Sequence, residues 1–166
     1  MKKAFFIVVL CSAVVIARPA WAQKAATPEE VVQKTRQAAQ YLAQDKTNGL
    51  ITFSRRTSEF VWADSYVFVV DCQQKRIVAH PINHTLIGQN IAFLKDPTGK
   101  LFGPMLCEGD KARGHWIEYS WPKPDEEKPV RKLTYLEPVP GTPYRVGAGV
   151  YNETMSLDQL QALSSK

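Results

Sequence analysis

The chain has 166 residues, 45% of them hydrophobic, and its 21 basic and 16 acidic residues give a formal net charge of +5. That length is one ordinary domain with room for a core of its own. The basic residues are scattered rather than massed, which sets nucleic acid aside as a partner.

The chain opens MKKAFFIVVLCSAVVIARPAWAQ. Lys2 and Lys3 form a basic start, an apolar run extends from Ala4 to Ala17, and Ala20-Trp21-Ala22 gives a small-x-small site before Gln23. This is the pattern of a secretory signal peptide cut after Ala22. The apolar run is short for a retained membrane anchor, and Leu10 stands before Cys11 where a lipid-attachment site would carry a small residue. Cleavage removes Lys2, Lys3 and Arg18, lowers the formal charge from +5 to +2, and leaves the 144 residues 23–166 as a single domain. No second apolar stretch is long enough to cross a membrane. The expected product is a soluble exported protein, and the form of the signal points to a bacterial periplasm. Cys72 and Cys107 remain after cleavage. In an oxidising compartment an even pair reads as a disulfide. There is no CxxC, so neither a thioredoxin-type centre nor covalent haem has support.

Thr27-Pro28-Glu29-Glu30 is a strong helix start: a capping hydroxyl, a first-turn proline, then carboxylates at the positive end of the dipole. Val31, Thr35, Ala38, Ala39 and Leu42 recur at helical spacing, and Asn48-Gly49 reads as the stop. Ser65 to Val70 is apolar on both faces, as a strand covered on both sides would be. Asp71-Cys72-Gln73-Gln74 forms a turn, and Arg76 to Ala79 returns. Between Asn83 and Asp110 the pattern becomes short helical pieces broken by Gly88, Pro97-Thr98-Gly99 and Gly103-Pro104. Gly114 to Trp121 alternates as a strand, PKPDEEKP is a charged loop, and Val130 to Glu137 returns. Tyr144 to Tyr151 closes the sheet, with Gly147 and Gly149 allowing close approach. Ser156 to Leu163 forms a last short helix. Two hairpin-forming groups separated by a helical crossing define an α+β sandwich. It has a five-stranded antiparallel sheet, the long helix on one face and the crossing on the other.

Lys132 stands on the same side of its strand as Val130, Thr134 and Leu136, an ammonium in an otherwise apolar face. Two readings are open: an edge-strand lysine whose stem lies over apolar neighbours, or the floor of a pocket for an anion. In one of two plausible pairings across PKPDEEKP, Tyr119 falls opposite Lys132 and Trp116 opposite Tyr135. Lys132 and Tyr119 would then share a face and could grip one carboxylate between an ammonium and a phenol.

The order YVFVVD, IVAHPINHTLIGQNIAFLKDPTGKLF, GHWIEYSWPKP, KLTY and PGTPYRVGAGVY resembles the single Cache type 2 domain, an extracytoplasmic, PAS-like ligand sensor. The resemblance covers Val31 to Asn152. It implies a PAS-like sheet with a pocket between sheet and crossing, and short organic acids such as acetate, propionate, pyruvate or lactate as ligands. The family's K-x-x-Y motif falls on Lys132 and Tyr135, its aromatic strand on Trp116, Tyr119 and Trp121, and its His-Pro on His80, at the pocket's border. Each of the aromatics is also a natural core residue. Such sensors sit between two membrane helices and feed a cytoplasmic output. With the chain ending at Lys166, the expectation is a stand-alone form that signals to a separate membrane-bound sensor kinase, chemoreceptor or transporter.

The competing functions are an accessory protein that uses the fold only for docking, a metal-binding periplasmic protein, and an enzyme. His80 and His84 have helical zinc spacing, but Pro81 between them spoils it. Cys72, Cys107 and His115 complete no ligand signature, so no metal is expected. The glycines fit neither GxGxxG nor a P-loop, which leaves no cofactor indicated. No nucleophile–base pair or close carboxylate pair marks a catalytic site. The export reading requires exported protein to begin at Gln23. Intact mass of periplasmic material checks this, and soluble material that retains residues 1–22 would refute it.

Overall fold

A computed structural model describes residues 24–110, 112–151 and 154–165. The signal segment 1–22 lies outside the described residues. Helix α1 (Pro28–Gln44) starts on a reciprocal capping box: the Thr27 hydroxyl accepts from the Glu30 backbone N–H while the Glu30 carboxylate accepts from that of Thr27. Val31, Val32, Thr35, Ala38, Ala39 and Leu42 form its buried stripe. The chain then turns at Asp45, whose carboxylate caps α2 (Lys46–Phe53) by accepting from Asn48 N–H. Asn48-Gly49 therefore lies inside a second helix and does not end the first. The glycine answers a packing demand: a Cβ at position 49 would come within 2.6 Å of Leu42 Cδ1 on α1.

The apolar run from Ser65 divides in two. β1 (Val61–Trp62) and β2 (Ser65–Tyr66) form a small hairpin, and β3 (Phe68–Asp71) enters the main sheet. Asp71 sets the next turn by accepting from the N–H groups of Gln73 and Gln74, and β4 (Arg76–Ala79) returns. β5 (His115–Pro122), β6 (Pro129–Pro138) and β7 (Tyr144–Tyr151) complete an antiparallel sheet in the order β4-β3-β7-β6-β5. α3 (Leu157–Ser164) opens on the Ser156 cap and buries Leu160.

Strand alternation divides the interior into two cores. On one face Val69, Leu133, Val146, Ala148 and Val150 pack with Val31, Ala38, Ala39, Leu42 and Phe53 of the helices. On the other, Phe68, Val70, Ile77, Ile117 and Leu136 meet Leu86, Ile91, Phe102 and Leu106 from the segment crossing between β4 and β5. β7, in the middle, is buried at every position because both of its faces are covered.

The crossing segment carries three short 3₁₀ turns, His84–Leu86, Ile91–Phe93 and Gly103–Cys107. Gly88 and Ile91 N–H donate to the Ile77 and Lys75 carbonyls, and Ile77 N–H donates to that of Gln89, so the segment covers the edge of β4. The Asp96 carboxylate gathers N–H groups from Thr98, Lys100 and, on β5, Ser120. A Cys72–Cys107 disulfide, with Cα atoms 5.6 Å apart, ties the first hairpin turn to the end of the crossing. With a sequence separation of 35, the closed loop is expected to add about 3–4 kcal/mol in the chain-entropy model. Urea unfolding of the Cys72→Ser/Cys107→Ser double variant measures it, and an unchanged midpoint would remove the disulfide as a stabilising element.

Candidate functional site

β6 and β5 adopt the pairing that puts Tyr119 opposite Lys132 and Trp116 opposite Tyr135, and β6 pairs Lys132 with Tyr151 of β7. Lys132 therefore lies mid-sheet rather than at an edge, and is only 1% exposed. The stem has room because the neighbouring position on β7 is Gly149, where a Cβ would stand 2.6 Å from Lys132 Cε. The ammonium donates to the Tyr66 hydroxyl at 3.0 Å. It lies 4.3 Å from the centre of the Tyr66 ring, 5.0 Å from Tyr151, 5.9 Å from Phe68 and 6.0 Å from Tyr119. Desolvated cation–ring contacts of this kind contribute about 2 kcal/mol each at best. Among the described residues no carboxylate lies within ion-pair distance of it.

Burial is the largest influence on Lys132 and works against its charge; the oxygens of Tyr119, Tyr151 and Tyr66 around it, with the hydrogen bond to Tyr66, work the other way, and the net direction is upward. Burial also raises the pKa of Tyr119 and of Tyr151. Tyr119 and Tyr151 therefore keep their protons at neutral pH.

The phenols are partly committed as acceptors. Tyr66 accepts from Lys132, and Tyr119 accepts from the Thr134 hydroxyl at 3.1 Å. Each keeps its own O–H to give, and the ammonium donates to Tyr66 with the Tyr119 and Tyr151 oxygens also in reach of its other donors. His80 adds another donor. Its ring is 4% exposed and leans on Tyr66 and Phe68, with centroids at 4.9 and 6.0 Å. Its Nδ1 accepts from the N–H groups of Asn83 and Ile82 at 3.0 and 3.3 Å, which puts the proton on Nε2. Burial first, then the positive charges of Lys132 and His84, push the His80 pKa down to about 3. The donors outnumber the acceptors, which is the chemistry of an anion site.

The cavity that these groups surround is lined by Tyr66, Phe68, His80, Tyr119, Trp121 and Lys132 from the sheet side. Leu86, Leu94 and Phe102 roof it, with Phe102 stacked 4.1 Å from Tyr119. Its volume is about 20 Å³, room for one water-sized group. Larger open grooves of about 660 and 830 Å³ lie beside the disulfide and between α1 and α3.

Of the residues singled out in the sequence, Lys132, Tyr119, Trp121 and His80 come together at this cavity. Trp116 and Tyr135 do not. They lie in the other core, 5.3 Å apart between ring centres, and the Tyr135 hydroxyl donates to Glu137. The reason is alternation: Tyr135 stands three positions after Lys132, and an odd spacing sends the two side chains to opposite faces. Tyr66, Phe68, Tyr151 and Phe102 are not marked as site residues by the sequence, and Thr134 is marked only as sharing the face of Lys132. Tyr66 and Phe68 share one face of SYVFVV by the same rule. Tyr151 is visible only once β7 is known to neighbour β6. The metal inventory disperses: His84 meets the Ser54 carbonyl, His115 the Met105 carbonyl, and the cysteines pair with each other.

The chain belongs to the single Cache domain 2 family, whose profile matches residues 9–164. It is 31% identical over 100 residues to the methyl-accepting chemotaxis protein McpP of Pseudomonas putida, a match covering 60% of this chain and 17% of that protein. It is 34% identical over 88 residues to the sensor histidine kinase MctS of Rhizobium johnstonii, covering 53% and 19%. The matches thus span less than a fifth of either relative. Among solved structures it resembles a periplasmic sensor domain of a chemotaxis protein, with a TM-score of 0.63 at 24% identity over 82% of this chain and 100% of that one. A Cache chemosensory domain solved for its carboxylic acid recognition superposes with a TM-score of 0.58 at 25% identity, covering 74% and 88%. The five-stranded antiparallel sheet with its helices is the fold of Cache and PAS-like sensor domains. Among the described residues no helix is long and apolar enough to cross a membrane.

The low pKa of His80 has a consequence for stability. Between pH 6.5 and about 3 the unfolded chain binds a proton on this imidazole that the folded chain does not. Stability therefore rises with pH through that window and is lost on acidification, by at most about 1.4 kcal/mol per unit. In His80→Asn, whose side-chain oxygen can take over the acceptor role of Nδ1, this contribution is gone. Denaturation midpoints of the wild type are expected to fall more steeply than those of the variant from pH 6.5 to 4.5. Parallel profiles would contradict a buried neutral His80.

Proposed function

We propose that the domain is a periplasmic sensor module for a short monocarboxylate of the acetate, propionate, pyruvate or lactate class, bound with its carboxylate against Lys132. The observation that carries this reading is a buried ammonium facing neutral donors, with no permanent counter-ion among the described residues. The Nε2–H of His80 and the hydroxyls of Tyr66 and Tyr119 are the further donors to the carboxylate. Phe68, Phe102 and Trp121 are the apolar wall around a short carbon chain. Likeness to a Cache chemosensory domain that recognises carboxylic acids supports the same ligand class. Similarity to parts of a chemotaxis receptor and a sensor kinase supports a signalling role. Trp116 and Tyr135 support β5 and β6 from behind and do not touch the ligand.

A cavity of about 20 Å³ is smaller than any carboxylic acid of two or three carbons, so binding requires the roof to move. Leu86, Leu94 and Phe102 belong to the crossing segment, and they are the elements displaced. Occupancy and roof position are then a single event, and a membrane-bound chemoreceptor, sensor kinase or transporter reads the roof.

A ligand that binds only the folded state raises the melting temperature. Acetate or propionate at constant ionic strength is expected to raise that of the wild type. In Lys132→Met the apolar stem is kept and the charge lost. A charge-assisted contact in a dry pocket is worth about 1.5–3 kcal/mol, so affinity should fall by about tenfold to over a hundredfold. Equal stabilisation of both proteins by the acids would sink the proposal, and a wild type indifferent to every acid would leave the docking role in its place.

A further inference from the structure

A second cation is buried on the same sheet face, towards the opposite end of β7. Arg145 is 4% exposed, and it stands in the wall of an open groove of about 660 Å³, within the range of small-ligand clefts. The rest of that wall includes the Cys72–Cys107 disulfide, Pro104, Pro138, Pro143 and Tyr144, a rigid and largely apolar lining. Lys75 and Glu108 at the rim are both exposed and opposite in charge.

The partners of Arg145 are neutral. One terminal nitrogen, Nη1, donates to His115 Nδ1 at 3.2 Å, and Nη2 donates to the Asp110 carbonyl at 2.6 Å. His115 is fixed in that acceptor role because its Nε2–H faces the Met105 carbonyl at 3.2 Å. The nearby carboxylates are engaged elsewhere. That of Asp110 pairs with Arg113, and that of Glu137 accepts the Tyr135 hydroxyl. Among the described residues no carboxylate lies within ion-pair distance of Arg145. Two of five guanidinium donors are therefore spent, and arginine cannot shed its proton to relieve the charge. A buried cation in this condition is costly unless an anion completes it.

We propose that the groove is a second binding site, for a carboxylate carried on an apolar body, with Arg145 as its anion anchor. A guanidinium matches a planar carboxylate two bonds at a time. A single buried cation, with rim charges that cancel, suits a monoanion, and the proline-lined walls suit an apolar rather than a hydroxylated body. The groove admits far larger acids than the Lys132 cavity. Arg145 stands six positions along β7 from Tyr151, the partner of Lys132, so the two sites are about 20 Å apart along the strand. Nothing in this inference depends on what Lys132 binds.

Benzoate is the probe, titrated at constant ionic strength into ¹⁵N-labelled mature protein and followed by amide shifts. Saturable shifts are expected at Gln73, Thr142 and Arg145, retained in Lys132→Met and lost in Arg145→Met. Shifts confined to the Lys132 cavity, or non-saturating shifts matched by chloride, would overturn the proposal. So would groove shifts that persist in folded Arg145→Met. Should that variant not fold, Ala92→Trp decides the matter. It fills the groove wall and leaves Arg145 intact, so loss of the groove shifts supports the site and their retention refutes it.

Discussion

One ammonium group buried at the centre of a sheet sets conditions that every neighbouring element meets. The strand beside Lys132 has to give up a side chain, and it does so at Gly149, where a methyl would collide with the lysine stem. Aromatic faces have to replace part of the lost hydration, and Tyr66, Tyr151, Phe68 and Tyr119 surround the charge. A second positive charge nearby would be hard to tolerate, and the imidazole of His80 is held neutral by burial and by Lys132 itself. Water has to be kept out, which falls to the roof contributed by the crossing segment.

The roof is held at points that leave its middle comparatively free. Backbone bonds fix its first part to β4, the disulfide fixes its last turn to the first hairpin, and Asp96 pins one inner loop to β5. Leu94 and Phe102 sit between these fastenings, and Leu86 just before the first of them. The segment therefore has defined ends and a span that side-chain packing, rather than a continuous hydrogen-bond ladder, keeps in place.

The elements that were readable in the sequence owe this to local chemistry. Thr27 to Glu30 carries its own capping box, and the bounds of Arg76–Ala79 and Tyr144–Tyr151 follow from apolar runs with turn residues at their ends. The Asn48-Gly49 reading failed because that glycine serves Leu42 on another helix, a contact no local pattern encodes. Lys132 was recognisable as an anomaly from alternation alone, and Tyr119 followed from one of two registers. Trp116 and Tyr135 were grouped with it by motif, although the parity of their positions already assigned them to the other face. Tyr151 and Tyr66 could not be connected to Lys132 without the order β3-β7-β6, which is a long-range property of the sheet. Arg145 is opaque in the sequence for the same reason, since which carboxylates lie near it and what engages them is set only in three dimensions.

The two faces of β6 also separate two kinds of selection. Leu133 and Tyr135 answer to the helical core, whereas Lys132 and Thr134 answer to the cavity. Adjacent letters of one strand thus carry separate obligations, one towards the helical core and one towards the cavity beneath the crossing segment. A change at Lys132 or Thr134 therefore leaves the contacts that β6 makes with the helices in place, while a change at Leu133 or Tyr135 leaves the cavity lining in place.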